Sequence, residues 1–104
     1  MTEVLHRVQL ENLRTTMLLL LEQAYPAAIR ANALRAALKQ HDYELTQRAF
    51  DAEIAYLEEK ALLRSTRNGR GSVTLRITAR GRDFLDGYVE EIGLGDPSML
   101  RQRT

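Results

Sequence analysis

The residues best suited to chemistry with a charged partner are concentrated in residues 61–82. This stretch holds six arginines and no acidic residue. The arginines are Arg64, Arg67, Arg70, Arg76, Arg80 and Arg82. A guanidinium group stays protonated and presents a planar fork of donors that fits phosphate and carboxylate oxygens. Because the whole chain has a net charge of only +1, this local concentration indicates a polyanionic partner.

The same stretch has the pattern of a β-hairpin. Val73, Leu75 and Ile77 alternate with polar residues, and residues 68–71 have the composition of a turn. The polar alternation predicts that Arg67, Arg70 and Arg76 lie at the hairpin tip or on its polar face. There they could contact phosphates, or they could serve only as charges that discourage edge-to-edge aggregation of the strands.

Charge is segregated along the chain. Residues 40–60 carry two basic and six acidic side chains, whereas residues 61–82 carry six basic side chains and no acidic one. We therefore expect a dipolar surface field. Arg80 and Arg82 fall in a predicted first helical turn, where cations oppose the helix dipole, so we expect an anion near them.

Composition narrows the class of protein. A chain of 104 residues with 44% hydrophobic residues predicts one small domain, and the absence of cysteine excludes disulfide and thiol chemistry. The apolar run 17–21 is too short for a membrane span, so we expect a cytoplasmic protein without membrane contact. His6 and His41 have no second ligand at metal spacing, and no nucleophile and base are paired in the sequence. We predict no enzyme activity, metal or cofactor.

Periodicity and capping signals predict helices at residues 3–24, 33–40, 47–60 and 79–92. Asn32, Thr46 and Thr78 are the expected N-caps of the last three helices. Residues 27–30 fit either a turn of helix or a minimal strand. We expect one domain over residues 1–93, followed by a flexible tail at residues 94–104.

The first helix has more apolar surface than a single stripe facing the core would require. Leu18 and Leu19 extend the surface beyond the stripe that faces the core, which predicts a second contact, with another copy of the chain. The far side of the last helix, with Tyr88 and Ile92, would complete this homodimer interface.

Three segments resemble the winged helix-turn-helix superfamily. These are the helix pair at residues 33–38 and 46–60, the passage into a strand at residues 61–64, and the strand-Thr-x-x-Gly-helix pattern at residues 75–85. The chain also resembles small winged-helix proteins of Mu-like phages and prophages. The resemblance implies a mainly α, α+β fold, with a three-helix helix-turn-helix core, a two-stranded wing and a C-terminal helix. It also implies binding of double-stranded DNA.

The resemblance places the second helix of the pair in a major groove and the hairpin on the DNA backbone. The expected DNA contacts are Thr46, Gln47, Arg48, Arg67, Arg70 and Arg76. Residues 47–60 carry a net charge of −2, however, which is unusual for a strong reader of base sequence. The alternative hypothesis is a winged-helix module that binds other proteins. The sequence does not identify an operator sequence or a small-molecule effector.

Overall fold

The computed structural model describes residues 2–101 and has a mainly helical α+β fold. A small three-stranded antiparallel sheet accompanies the helices, with strand order β1-β3-β2. The elements in chain order are α1 (Thr2–Ala24), β1 (Ile29–Arg30), α2 (Ala31–Gln40), α3 (Gln47–Glu59), β2 (Leu63–Arg67), β3 (Val73–Ile77), α4 (Ala79–Leu85) and α5 (Pro97–Arg101).

Helix α1 is the central element of the core. Its C-terminal half is buried on several sides, because α2, α4, α5 and β3 all pack against it. Leu18 is fully buried and Leu19 nearly so, within the core of a single chain. The prediction that these two leucines face a second subunit is therefore wrong. Their surplus of apolar surface is covered by other elements of the same chain, because helices and a strand pack against α1 from several sides.

The ambiguous segment at residues 27–30 contains the short strand β1. Ile29 lies opposite Leu75 and Arg30 lies opposite Thr74. Helix α2 then begins at Ala31, with Arg30 as its N-cap and no side-chain capping bond. Asn32 was expected to cap this helix but lies inside its first turn, because the strand leads directly into the helix.

The end of α3 leads tightly into the hairpin. Thr46 caps the start of α3 by accepting a hydrogen bond from the Ala49 N–H at 3.1 Å, as predicted. At the other end, Ala61 has a positive φ of 61°. The Ala61 N–H donates to Glu58 O, and the Leu62 N–H donates to Leu57 O. These two bonds form a Schellman motif, which reverses the chain and starts β2 beside the helix.

The hairpin closes onto α4 as the sequence predicted. Thr78 accepts a hydrogen bond from the Gly81 N–H at 3.0 Å and donates one to Ala61 O at 2.6 Å. A Cβ on Gly81 would overlap Leu62 O, so only glycine allows the helix to start this close to the hairpin.

Helix α4 is shorter than predicted. It ends at Leu85 with Asp86 as its C-cap, and Gly87 follows with a φ of 87°. A glycine with positive φ at this position terminates a helix. Tyr88 and Ile92 therefore lie in irregular structure and are 81% and 91% exposed, whereas they were expected on the far side of a helix continuing to residue 92.

Residues 94–101 are folded onto α1, although they were predicted to belong to a loose tail. The Gly95 N–H donates to Glu11 O at 2.9 Å, and the Thr15 hydroxyl donates to Gly95 O at 2.7 Å. Leu100 of α5 is buried in the core. The packed part of the chain thus continues beyond the predicted boundary at residue 93, and residues 102–104 of the predicted tail lie outside the described residues.

Candidate nucleic-acid interface

The hairpin tip is organised by the side chain of Asn68. Its Oδ1 accepts hydrogen bonds from the N–H groups of Arg70 and Ser72, each at 2.9 Å. The Arg67 Nη1 donates to Gly71 O at 3.0 Å, which ties this guanidinium to the turn. Arg70 is exposed at the tip and forms no ion pair with any residue from 2 to 101. The tip therefore presents one guanidinium free to meet an anion and one already engaged with the backbone.

The register of the sheet divides its side chains between two faces. Leu63, Leu75 and Ile77 point into the core. Successive side chains alternate along a strand, and directly opposed residues share a face. The other face, called here the outer sheet face, consists of Arg30, Arg64, Thr66, Thr74 and Arg76. It contains three arginines and no acidic strand residue.

The expected base-contacting residues at the start of α3 are exposed, but they differ in whether their side chains already have partners within the protein. Gln47 Oε1 accepts from Arg35 Nη1 at 3.1 Å, and Gln47 Nε2 donates to Asp51 Oδ1 at 2.8 Å. Both ends of the Gln47 amide are thus engaged within the protein. Arg48 is exposed and makes no ion pair within the described part of the chain. Thr46 is exposed as well, with its hydroxyl accepting the capping bond.

The groove between α3 and the hairpin is mainly acidic and neutral. Its charged lining residues are Asp51, Glu58 and Arg67. Glu58 accepts hydrogen bonds from the Ser65 N–H at 3.0 Å and from the Ser65 hydroxyl at 2.8 Å. The groove lies on the opposite side of the sheet from the outer sheet face, because Ser65, Arg67 and Val73 line it. The predicted contacts Arg67 and Arg76 therefore lie on different faces of the hairpin.

Besides Arg67, two further arginines in residues 61–82 are held by partners inside the chain. Arg80 forms an ion pair with Glu91, and Lys60 Nζ lies 3.5 Å from the same carboxylate. The Arg82 guanidinium stacks over the Tyr25 ring at 4.1 Å from its centroid. The anion expected beside the first turn of α4 is thus Glu91 of the same chain.

Another arginine joins α1, α3 and the loop that precedes α5. Arg14 Nε contacts Glu53 Oε1 at 2.6 Å, and its Nη1 donates to Gly93 O at 2.9 Å. The same guanidinium lies 3.9 Å from the centroid of the Tyr56 ring. Arg14 and Glu53 side chains are only 15% and 13% exposed. This arginine is committed to the fold and does not contribute to a binding surface.

Comparisons with family models, curated proteins and solved structures give no significant match.

Within residues 2–101, no helix combines the length and apolar character needed to cross a membrane. The same residues include no group of three or more histidine, aspartate or glutamate side chains placed to hold a metal ion.

Sequence reasoning missed Arg30 as a member of the basic surface. This residue lies more than thirty positions before the arginine-rich hairpin strands in the sequence, and it reaches them only because β1 pairs with β3. The available signal was the ambiguous segment 27–30. A strand there would have placed its single arginine beside the hairpin.

Proposed function

We propose that this chain is a winged-helix protein that binds double-stranded DNA, as a small transcriptional regulator or phage accessory factor in the cytoplasm. The observation that carries the proposal is an arginine-rich hairpin joined to a helix pair. Arg64, Arg70 and Arg76 on this hairpin form no ion pair with any described acid. Exposed arginines that no neighbouring acidic side chain neutralises are typical of surfaces that bind a phosphate backbone.

The arrangement of elements supports the winged-helix part of the proposal. Helices α2 and α3 are joined by a short connection at residues 41–46, and the β2-β3 hairpin follows α3 directly. The short strand β1 completes a sheet of order β1-β3-β2. In helix-turn-helix proteins, the second helix of the pair meets the major groove with its N-terminal residues, which here include Gln47 and Arg48.

A titration of duplex DNA at about 50 mM and about 200 mM salt tests this function, because phosphate contacts make affinity fall with salt. Arg70→Ala should lower affinity similarly for all sequences. Arg48→Ala should change the preference among sequences, because an arginine near the start of this helix can reach base edges. Absence of binding by the wild type at the lower salt concentration would refute the proposal.

The proposal includes a homodimer, which a mass measurement in solution tests. Of the four expected interface residues, Leu18 and Leu19 are covered by the chain itself, while Tyr88 and Ile92 remain exposed. Burial of Tyr88 and Ile92 between two copies would remove a large apolar surface from water. Ile92→Ser should therefore shift the mass toward the monomer, and a monomeric wild type would contradict this part of the proposal.

One observation favours a protein-binding module as the second candidate. The exposed surface of α3 carries Asp51, Glu58 and Glu59, and the Gln47 amide is engaged by Arg35 and Asp51. Such a surface suits a basic protein better than a phosphate backbone. A pull-down with and without nuclease distinguishes the candidates, because protein partners persist after the nucleic acid has been digested.

A further inference from the structure

We infer that the outer sheet face is the principal phosphate-binding surface of this protein, and that Arg30, Arg64 and Arg76 hold the DNA backbone there. This inference rests on the proposed DNA-binding function. It goes further by assigning the main backbone contacts to a face of the sheet on the opposite side from the α3 groove.

Three strands bring the three arginines together. Arg64 lies directly opposite Arg76. Arg30 lies opposite Thr74, two residues from Arg76 on the same strand and therefore its diagonal neighbour on the same face. Directly opposed side chains have Cβ atoms roughly 5 Å apart, and diagonal neighbours are roughly 7–8 Å apart. All three arginines are exposed, and none forms an ion pair with a residue that the structure describes.

Two directly opposed arginines are energetically unfavourable on a sheet face that contacts only water. Like charges directly opposite each other destabilise a sheet. Protection against edge-to-edge pairing requires charge on an edge strand, whereas Arg76 lies on the central strand β3. No acidic strand residue on this face offsets the repulsion. A bound anion would offset it, which gives the arrangement a physical reason.

The chemistry between the arginines suits phosphate oxygens. An open depression on this face is lined by Ala28, Arg64, Thr66, Thr74 and Arg76. Ala28 contributes only a methyl group to this lining, and it directly precedes β1, whose Ile29 lies opposite Leu75. Guanidinium groups offer paired donors to phosphate, and threonine hydroxyls are common donors to DNA backbone oxygens. The Thr74 hydroxyl already donates to Thr66 O at 3.4 Å, which leaves the Thr66 hydroxyl for this role.

The extent of the face favours a chain of phosphates over a single anion. Neighbouring strands lie roughly 4.8 Å apart, so β1 and β2 are separated by roughly 10 Å across β3. The arginines are therefore spread more widely than one phosphate group. By contrast, the α3 groove on the other side contains Asp51 and Glu58, which repel a phosphate backbone.

The test compares two double variants that lose the same charge. Arg64→Gln/Arg76→Gln removes the central pair, whereas Arg7→Gln/Lys39→Gln removes two exposed cations from α1 and α2. With a labelled duplex of arbitrary sequence at about 50 mM salt, the sheet-face variant should bind about tenfold more weakly than the wild type. Its slope of log affinity against log salt should fall by about 2, since each lost phosphate contact removes about 0.9. Arg30→Gln should lower the slope by about 1.

A charge-preserving variant separates binding from folding. Arg64→Lys/Arg76→Lys should keep most of the salt slope, because slope counts neutralised phosphates and not donor geometry. A circular dichroism melt of both double variants at residues 64 and 76 should match or exceed that of the wild type, because these changes remove no hydrogen bond or ion pair of the described fold.

The possible failures are distinct. If the wild type binds DNA and the sheet-face variant has the same affinity and slope, or weakens no more than the Arg7/Lys39 variant, the inference is overturned and the proposed function stands. If the wild type does not bind duplex DNA at the lower salt concentration, the proposed function fails and the inference fails with it.

Discussion

Arg64 and Arg76 lie directly opposite each other on β2 and β3, with both side chains exposed on the same face of the sheet. Because like charges in this position repel, Arg76→Gln should raise the free energy of unfolding by ~0.5 kcal/mol at low salt. The gain should vanish at about 1 M salt, where the screening length is about 3 Å. Arg70→Gln makes the same change of charge without a directly opposing arginine and should give no comparable gain. Urea unfolding at two salt concentrations measures both, and equal gains for both variants would contradict this explanation.

Ala61 occupies a backbone position that favours glycine. Its φ of 61° completes the Schellman motif at the end of α3, where a Cβ is sterically unfavourable. Ala61→Gly should therefore stabilise the chain by about 0.5–1 kcal/mol, despite the greater flexibility of glycine in the unfolded state. Ala55→Gly, at an exposed position inside α3, should destabilise it by about 1 kcal/mol. Chemical denaturation should give opposite signs for these two identical substitutions, and two losses would count against the motif.

Gly81 is required by the close contact between α4 and the hairpin. A Cβ at this position would overlap Leu62 O and the Ile77 side chain, and the carbonyl oxygen belongs to the backbone and cannot turn away. Gly81→Ala should destabilise the fold by about 2–3 kcal/mol. Gly69→Ala provides the control, since a Cβ there meets no atom within 4 Å. Its unfolding midpoint should remain close to that of the wild type, and a comparable loss in both variants would disprove the packing argument.

The Arg14–Glu53 ion pair is largely buried, so the loss of one partner leaves a charge with little water around it. Arg14→Leu should cost about 3 kcal/mol, because it also removes the hydrogen bond to Gly93 O. The exposed pair Lys39–Glu44 spans 3.5 Å and offers the comparison: Lys39→Gln should cost less than about 1 kcal/mol. A double-mutant cycle with Glu53→Gln isolates the coupling between the two charges. Additive effects would show that the pair does not stabilise the fold.

Leu100 connects the C-terminal segment to the core. It is buried, whereas its neighbour Met99 is 64% exposed. Leu100→Ala should destabilise the chain by about 2 kcal/mol, at the low end for a core leucine because α5 is short. Met99→Ala should be neutral within about 0.5 kcal/mol. If thermal melts showed the same small effect for both variants, residues 97–101 would contribute little to stability in solution.

Features controlled by local chemistry could be predicted from the sequence. Thr46 and Thr78 cap their helices as expected, and the alternation around Leu75 correctly divides the hairpin into two faces. Each of these depends on residues within a few positions of one another. The C-terminal part was predicted less well. The apolar spacing of Tyr88 and Ile92 suggested a continued helix, but Gly87 terminates it first.

Features that depend on long-range packing could not be predicted in the same way. The burial of Leu18 and Leu19 depends on the elements of the rest of the chain that pack against α1, namely α2, α4, α5 and β3. The membership of Arg30 in the basic surface depends on a strand of two residues. The engagement of Gln47 by Arg35 requires α2 and the start of α3 to lie side by side. In each case a residue's exposure or freedom is determined by a partner that is distant in the sequence or on another element.

The contact between Glu58 and Ser65 has a consequence for how this protein behaves when concentrated. β2 is an outermost strand, and the backbone N–H of Ser65 points away from β3 toward the Glu58 carboxylate. An incoming strand from another molecule would need that donor and would meet a negative charge in its place. One carboxylate thus blocks the middle of an edge strand that could otherwise pair with a strand of another molecule. The hairpin can therefore remain exposed to solvent without promoting aggregation through its edge.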